Sequence, residues 1–545
     1  MRKQTMTQQE ELQFLRALVE KQKEQLAEKE RIIEKQNIQI ENMIQALLHA
    51  RKKIFGASTE TTKQVEGQMS LFESVQELAK QLGVEQKKIT VKPYTRVPRQ
   101  AGVREEMLAG LPKEVVEFVL PPEETCQVCG GKLKVIGKRF VRTEVEYQPA
   151  KLIVKQIVRE VAKCTKCGEE GSNHATAHFQ QAAVPNAPLS HSISTPSLIA
   201  QILYQKFVQG IPLARQEKDW YRLGLVLSRK EMSHWMIRCS EEWFRPVYAK
   251  IHEKLKMCGI LHMDETRIQC NKEEGKKASS PSYMWVMRSG ASENIDAIFF
   301  HYASTRSGSI AKELLGAYDG YLITDAYAGY EKTEAAKRAL CWAHCRRYFI
   351  ESIPLDSRGK EISGSKGAEG REYINLLFKI EEEIKDLSPE EKVEKRQEAS
   401  RPILDAFWSW VEKTSALHTT NELLTKALGY ATNQKKYLET FMEDGRIPLS
   451  NNLCEANIRP FATGRRAWLF ADTPKGATAN AILYTLVESA KANDLDVYAY
   501  LKYLLTEMPN NQHLEDPEVL ERCLPWSSEL PEECRLKQQK KQCLK

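Results

Sequence analysis

The chain has 545 residues, 42% of them hydrophobic and 28% charged, with a formal net charge of +7. A single core rarely grows past about 250–300 residues, so more than one domain is expected. No stretch approaches the roughly 18 apolar residues of a membrane span, and the N-terminus lacks an apolar secretory run, so a cytosolic protein with no membrane role is expected. The small positive balance permits an anionic partner without demanding one. The 13 cysteines then need an explanation other than a disulfide framework.

Leu12, Val19, Leu26, Ile33, Ile40, Leu47 and Ile54 recur every seven residues. This unbroken seam predicts a coiled-coil helix within 1–56. The companion seam is weaker: Leu15 and Met43 fit it, whereas Gln22, Lys29 and Gln36 do not. The alternative is a solvated amphipathic helix packed on its own protein. A basic linker spans 57–109 and includes "KKITVKPYTRVPRQAGVRE". It suits either a strand along a phosphate backbone or a soluble tether.

Residues 110–185 carry two C-x-x-C pairs, Cys126 with Cys129 and Cys164 with Cys167. Four thiolates close a tetrahedral Zn²⁺ site with no open position, which folds a module and does no chemistry. The alternating sequence between the pairs suggests a zinc ribbon with a long hairpin. Its Lys132, Lys134, Lys138, Arg139 and Arg142 suit nucleic acid, while Glu144 and Glu146 leave an ordinary surface open.

Residues 186–250 read as helical. A helix from Leu213, a turn at Leu223-Gly224 and a helix after Ser228 form a possible helix-turn-helix, with Ser228 and Glu231 spaced as a capping box. The second helix would show Arg229, Lys230, Ser233 and His234 outward and bury Met232, Trp235 and Met236. A helical hairpin within a bundle has the same spacing, so both readings stand.

Residues 251–350 alternate strands and turns. "MCGILHMDETRIQC" is an apolar strand with Asp264 near its end, where a charge is costly without a task or partner. Two strands follow at hairpin spacing in "SYMWVMRSG" and "IDAIFFHYA", then a helix in "SGSIAKELLGAY". The strand in "DGYLITDAYAGY" ends in Asp325, and "RALCWAHCRRYF" supplies another strand running into a helix. This order is the first half of an RNase H-like fold, whose first and fourth strands are central neighbours. Asp264 and Asp325 would then meet, and two close carboxylates repel unless a cation lies between them. Hard oxygen ligands suit Mg²⁺, and phosphodiester attack benefits from two ions about 3.5–4 Å apart.

A second ion needs a third carboxylate. Glu455 is the candidate, 130 residues beyond Asp325. A helical insertion over 351–445 would account for that distance. The second half of the core and the C-terminal helices would fill 446–510, and 511–545 reads as a frayed polar tail. Glu455 has local alternatives: a capping box with Asn452, or an ion pair with Arg459 four residues on. Asn451 and Asn452 could orient it. Glu265 should face the other side of the sheet, Asp319 suits a turn, and Trp342 and Trp468 suit the core. Cys341 and His344 make half a metal motif, a pattern more often structural. His344 could instead approach a scissile phosphate, with Arg346 and Arg347 beside it. The whole is a multidomain α+β chain: N-terminal coiled-coil helix, zinc-ribbon-like module, RNase H-like core interrupted by a helical insertion, and C-terminal helices.

"HMDET", "LITDAYAGY", "CWAHCRRYF" and "NNLCEANIRPFATGRRAWLF" resemble, in order, the signature blocks of the insertion-sequence-sixty-six family of bacterial DDE transposases. The N-terminal helix ending in a basic Phe-Gly block and the four-cysteine module are similar to that family's layout. The resemblance implies cleavage and strand transfer at inverted-repeat DNA ends and into target DNA. It makes Asp264, Asp325 and Glu455 the triad for two Mg²⁺ (or Mn²⁺) ions. Arg459, Arg465, Arg466, Arg346, Arg347, Arg229 and Lys230 become DNA contacts, with Asn451, Asn452 and His344 supporting the triad. It further implies a homo-oligomer through the coiled coil, accessory proteins of the same element, and a bacterial cytoplasm at the nucleoid. One block departs from the family's usual Arg-Lys-Asn-Trp, reading Arg465-Arg466-Ala467-Trp468 here. A zinc-containing DNA-binding regulator, and a nuclease without strand transfer, remain alternatives.

Overall fold

A computed structural model describes residues 8–55, 151–163, 179–333, 336–357, 359–417, 419–511, 514 and 516–536. Cys126, Cys129, Cys164 and Cys167 lie outside the described residues, as does the basic linker. Two short antiparallel strands, β1 (Val161–Lys163) and β2 (Phe179–Gln181), flank the second cysteine pair.

Helix α1 (Gln8–Phe55) is 48 residues long, about 72 Å at 1.5 Å per residue. Of its heptad positions, Leu26, Ile33, Ile40 and Leu47 face solvent: Leu26 is 59% exposed and Leu47 70%. Near its C-terminal end the Gln45 amide donates to the Leu355 carbonyl and accepts from the Leu355 N–H.

Helices α2 (Pro196–Phe207), α3 (Leu213–Arg222) and α4 (Arg229–Cys239) follow. Gly224 takes φ +86° in the turn between α3 and α4, a conformation strained for other residues. Ser228 and Glu231 close a full capping box on α4. Met232, Trp235 and Met236 are buried, and Arg229, Lys230 and His234 are exposed. A π-turn at Ser240–Phe244 joins α4 to α5 (Arg245–Leu255).

The central sheet has the order β5-β4-β3-β6-β7. Its strands are β3 (Ile260–Gln269), β4 (Pro281–Ser289), β5 (Ile298–Ala303), β6 (Tyr321–Thr324) and β7 (Lys337–Leu340), with α6 (Gly308–Leu315) between β5 and β6. The meander β3-β4-β5 is antiparallel, whereas β6 and β7 run parallel to β3. The first and fourth strands are therefore neighbours, as the sequence order suggests. The register sets His262 opposite Ile323, so the C-terminal end of β6 lies beside the middle of β3, where Asp264 sits rather than near the strand's end.

Helix α13 (Pro474–Ala492) covers the β5 edge of this sheet. Thr485 and Ser489, four residues apart, accept from the N–H groups of Phe300 (2.8 Å) and Ile298 (3.0 Å). The Ser489 hydroxyl also donates to the Ile298 carbonyl at 2.9 Å. An edge strand's free backbone groups are thus satisfied by helix side chains. Helix α12 (Asn452–Trp468) packs beside α13 at Gly464, where an added Cβ would lie 2.5 Å from the Tyr484 hydroxyl.

Residues between β7 and α12 build a second core. After α7 (Trp342–Glu351) come α8 (Lys366–Glu383), α9 (Pro389–Lys395), α10 (Arg401–Ser415) and α11 (Glu422–Leu438). Trp342 is fully buried; its indole N–H donates to the Leu438 carbonyl at 2.8 Å, and its ring meets Phe407 at 5.7 Å. Trp342 is a core residue here, and Trp468 packs partly buried against Phe461.

The reading of 511–545 as a frayed tail needs correction for the described part. After α14 (Val497–Asn510), α15 (Pro517–Cys523) and the residues after it pack Leu520, Cys523, Leu524 and Leu530 into the main core. The Tyr500 hydroxyl donates to the Cys523 carbonyl at 2.7 Å. Sparse apolar residues amid Glu, Pro and Ser hid a segment that needs its few buried leucines only where it touches α14.

Arg396 ties the second core to the chain that enters α12. Its side chain is 1% exposed and pairs with Glu381 at 2.7 Å. It also donates to the carbonyls of Phe441, Asp444 and Ile447. Arg396→Ala strands a half-buried carboxylate and three carbonyls. It should destabilise by about 3–5 kcal/mol, read as a lower urea midpoint. A loss below about 1 kcal/mol would contradict this role.

Candidate active site

Three carboxylates converge from three elements. Asp264 is the fifth residue of β3, Asp325 directly follows β6, and Glu455 lies in the first turn of α12. The Asp264 carboxyl is pushed up to about 8, by burial first and then by the charge of Glu265, with Asp325 and Glu455 adding to it. The Glu265 N–H donates to Asp264 at 2.8 Å and opposes that rise. Like charges act on Asp264 from both predicted partners, so the three groups share one electrostatic site.

Each carboxylate has little else to satisfy it. Asp325 accepts the Tyr327 N–H at 3.0 Å, and its other oxygen lies 3.9 Å from Arg306. Glu455 Oε1 is buried with no hydrogen-bond partner among the described residues. His344 Nε2 is 3.7 Å from it, too long for a hydrogen bond. The capping alternative does not form: Asn451, not Asn452, is the N-cap, and it makes no side-chain cap bond. No Glu455–Arg459 ion pair occurs among the described residues. Clustered carboxylates with few donors, one of them with a buried oxygen lacking any partner among the described residues, fit a divalent cation with hard-ligand preference.

Asn451 fixes the relative placement of these elements. It is fully buried. Its side chain accepts from His262 Nδ1 at 2.8 Å and donates to the Met263 carbonyl at 3.2 Å, both on β3. Its N–H donates to the Cys341 sulfur at 3.1 Å, just before α7. Burial lowers the His262 pKa to about 4, so the ring is neutral and its Nδ1–H serves Asn451. Asn452 is exposed at the first position of α12.

Glu265 has its own partners. Its side chain is 1% exposed, pairs with Arg306 at 2.5 Å and accepts from the Tyr330 hydroxyl at 2.6 Å. The Arg306 guanidinium also sits over the Tyr327 ring at 3.9 Å. Sequence reasoning missed Arg306, Tyr330 and His262. A lone Arg in "ASTRSGS" carries no local signal, but His262 two residues before Asp264 shares its strand face and offered one.

A cleft of about 330 Å³ opens beside Asp325, lined by Arg306, Tyr327, His344, Tyr348 and, from α11, Tyr430, Asn433 and Gln434. Arg346 and Arg347 are half-buried on α7, and Arg346 donates to Asn375 at 2.7 Å. Arg459 and Arg466 are exposed on α12. Arg465 is half-buried and donates to the Arg267 carbonyl. Arg229 and Lys230 stand exposed at the start of α4, away from the carboxylates in sequence and element.

Residues 191–479, more than half the chain, match the family described as "Transposase IS66 family". The chain belongs to the IS66 transposase family. Residues 123–168 match the "zinc-finger binding domain of transposase IS66" and contain all four paired cysteines. Residues 485–526 match the "IS66 C-terminal element", and 45–116 match "Transposase C of IS166 homeodomain". The C-terminal match includes α15, in the segment that the sequence left as a tail. Three similar proteins come from Sinorhizobium fredii (strain NBRC 101917 / NGR234), each described as uncharacterized. The protein y4hP is 29% identical over 75% of this chain and 74% of its own length. The proteins y4jD and y4qI are 27% and 26% identical, over 79% and 76% of this chain and 83% and 76% of their own. A transposase with a DNA-binding zinc-finger module follows from the IS66 matches. No helix among the described residues is long and apolar enough to cross a membrane.

Two outcomes follow from this geometry. Asn451→Ala leaves His262 and the Met263 carbonyl buried without partners, at about 1–3 kcal/mol each. Thermal unfolding should record the loss, and Asn451→Asp should not restore stability because it cannot donate to the carbonyl. The second concerns pH. The folded Asp264 keeps its proton above the ordinary value of 3.8, so the folded state binds more protons between about pH 4 and 8. Stability is therefore lost as pH rises through that window. Without divalent ions, Tm should fall from about pH 4 to 8, and fall less in Asp264→Asn. Added Mg²⁺ should raise Tm more at the alkaline end. A metal-independent, flat wild-type profile contradicts the site.

Proposed function

We propose that this chain binds the inverted-repeat ends of an insertion sequence, cleaves them and joins them to target DNA, with Asp264, Asp325 and Glu455 as the catalytic triad. The observation that carries this is the parallel register of β3 and β6, which brings Asp264 and Asp325 side by side from 61 residues apart, with the partnerless Oε1 of Glu455 on α12 beside them. The parallel adjacency of β3 and β6 supports an RNase H-like core interrupted by the helices between α7 and α12.

Asp264, Asp325 and Glu455 would hold the Mg²⁺ or Mn²⁺ pair, which supplies neutralisation of phosphate charge and a more acidic nucleophile. Asp264 would have to release its proton to hold such an ion. Arg306 steadies Asp325 and, through Glu265, the middle of β3. His344 faces the same site and can meet a phosphate oxygen. The exposed face of α12 presents Asn452, Arg459 and Arg466 at seven-residue intervals, about 10.5 Å apart along the axis. That stripe begins one turn from Glu455 and suits a DNA backbone. Arg465, Arg346 and Arg347 lie nearer the protein interior, where they anchor the elements that carry the stripe and the triad. The α3–α4 pair, with Arg229 and Lys230, is a second DNA contact. Cys126, Cys129, Cys164 and Cys167 hold a structural Zn²⁺. The solvent-facing heptads of α1 pair two copies at two ends. Action at the bacterial nucleoid, with accessory proteins of the same element, completes the reading.

The test uses full-length protein, labelled DNA carrying the repeats that flank its gene, and a plasmid target. Wild type should cut and join with Mg²⁺. Asp264→Asn should bind equally but cut at least ~10³-fold more slowly, the scale of several kcal/mol of lost charge stabilisation. Binding without cleavage under any divalent ion would overturn catalysis and favour a regulator. Cleavage without joined product would leave only a nuclease.

A further inference from the structure

Cys341, His344 and Glu455 bring a thiol, an imidazole and a carboxylate together, each with a ligand atom within 4.8 Å of the other two. We propose that these three residues form a site for a borderline-soft divalent ion, Zn²⁺ above all, and that occupancy withdraws Glu455 from Asp264 and Asp325. The first half of the proposal stands on geometry alone; the second rests on the catalytic reading of Glu455.

The local chain builds the site. Cys341 follows β7 and is the N-cap of α7, and His344 is the third residue of that helix. A spacing of three across a helix start puts both side chains on one side. The Cys341 sulfur accepts the Asn451 N–H at 3.1 Å, and the Ala343 and His344 amides also favour its thiolate. Burial outweighs them and raises the free thiol to about 11, a proton that a bound metal displaces.

The His344–Glu455 edge and the donor chemistry agree with tetrahedral coordination. Zinc bonds of about 2.0–2.3 Å to N, O and S imply ligand-to-ligand edges of roughly 3.3–3.8 Å. His344 Nε2 and Glu455 Oε1 are 3.7 Å apart. That spacing is too wide for a hydrogen bond and right for two ligands of one ion. Glu455 Oε1 is also a buried acceptor without a hydrogen-bond partner among the described residues. Three protein ligands leave one position for water. The donor set differs from the oxygen-only set of Asp264 and Asp325, so the two sites sort ions by softness. Glu455 belongs to both and serves one at a time. Zinc at Cys341 and His344 therefore opposes Mg²⁺-dependent chemistry.

The test uses the full chain with its four-cysteine module first filled with Zn²⁺, then titrated with Co²⁺. One further equivalent should bind with a sulfur-to-cobalt charge-transfer band in the near ultraviolet. Cys341→Ser, which keeps an acceptor for Asn451, should abolish that band. Asp264→Asn should retain it. His344→Ala provides a second route and should weaken Co²⁺ binding at least ~10-fold. No further equivalent, or an unchanged band in Cys341→Ser, overturns the site. For the shared carboxylate, Zn²⁺ should inhibit Mg²⁺-dependent end cleavage. Relative to each protein's own zinc-free rate, Cys341→Ser should need at least ~10-fold more Zn²⁺. Cobalt binding through Cys341 without zinc inhibition overturns the competition. A wild type that never cleaves defeats the catalytic reading, and with it the competition, while the cobalt band still decides the site.

Discussion

One buried amide holds three elements of the candidate site in register. Asn451 reaches β3 through His262 and the Met263 carbonyl, and reaches the start of α7 through the Cys341 sulfur. A second link, from the Trp342 N–H to the Leu449 carbonyl at 2.8 Å, runs alongside. Glu455 follows four residues later, and its N–H donates to the Asn451 carbonyl at 3.1 Å. An amide suits this position because it donates and accepts at once, in fixed directions. The cost of burying it is offset only if every bond is made, so the strand, the turn and the helix must arrive together.

The neighbouring carboxylates illustrate two solutions to burial. Glu265 is neutralised by Arg306 and Tyr330, so it is structurally complete. Glu455 Oε1 has no donor among the described residues, and burial with the nearby charge of Glu265 raises the Asp264 carboxyl to about 8. A site for cations has to be built from groups that the protein itself leaves incompletely paired. The completed pair then does different work: Arg306 extends to 3.9 Å from Asp325 and sets a fixed positive charge at one side. Charge on that side is permanent, while charge between the acids is exchangeable.

The strands, the α3–α4 hairpin and the heptad helix were legible because periodicity and turn residues are local signals. The apolar runs around Asp264 and Asp325 made the acids conspicuous, and strand order made them neighbours. Glu455 was harder. Its helix start has several polar residues, and a capping box was the simplest local reading; only the N-cap geometry at Asn451 removes it. Arg306 and Tyr330 gave no signal at all, since their role comes from loops that meet β3 in space. The packed segment after α14 was lost for another reason. Four or five buried apolar residues suffice for a short helix that covers an existing core, and such a count looks like a tail. The paired cysteines were legible by spacing alone, and they coincide with the zinc-finger match over 123–168.

The long interval between Asp325 and Glu455 is compatible with a precise site because the intervening chain is itself folded. A disordered loop of that length would add only a slowly growing closure entropy, yet it would leave the entry to α12 unrestrained. Here Trp342 is buried at the head of the second core, and Arg396 draws the carbonyls of Phe441, Asp444 and Ile447 inward. Leu449 then meets Trp342, and Asn451 meets β3. Each contact shortens the span that remains free before Glu455. The second core thus sets where the third carboxylate enters, and α11 supplies Tyr430, Asn433 and Gln434 to the cleft beside Asp325. A helical insertion that only filled sequence would have no reason to approach both places.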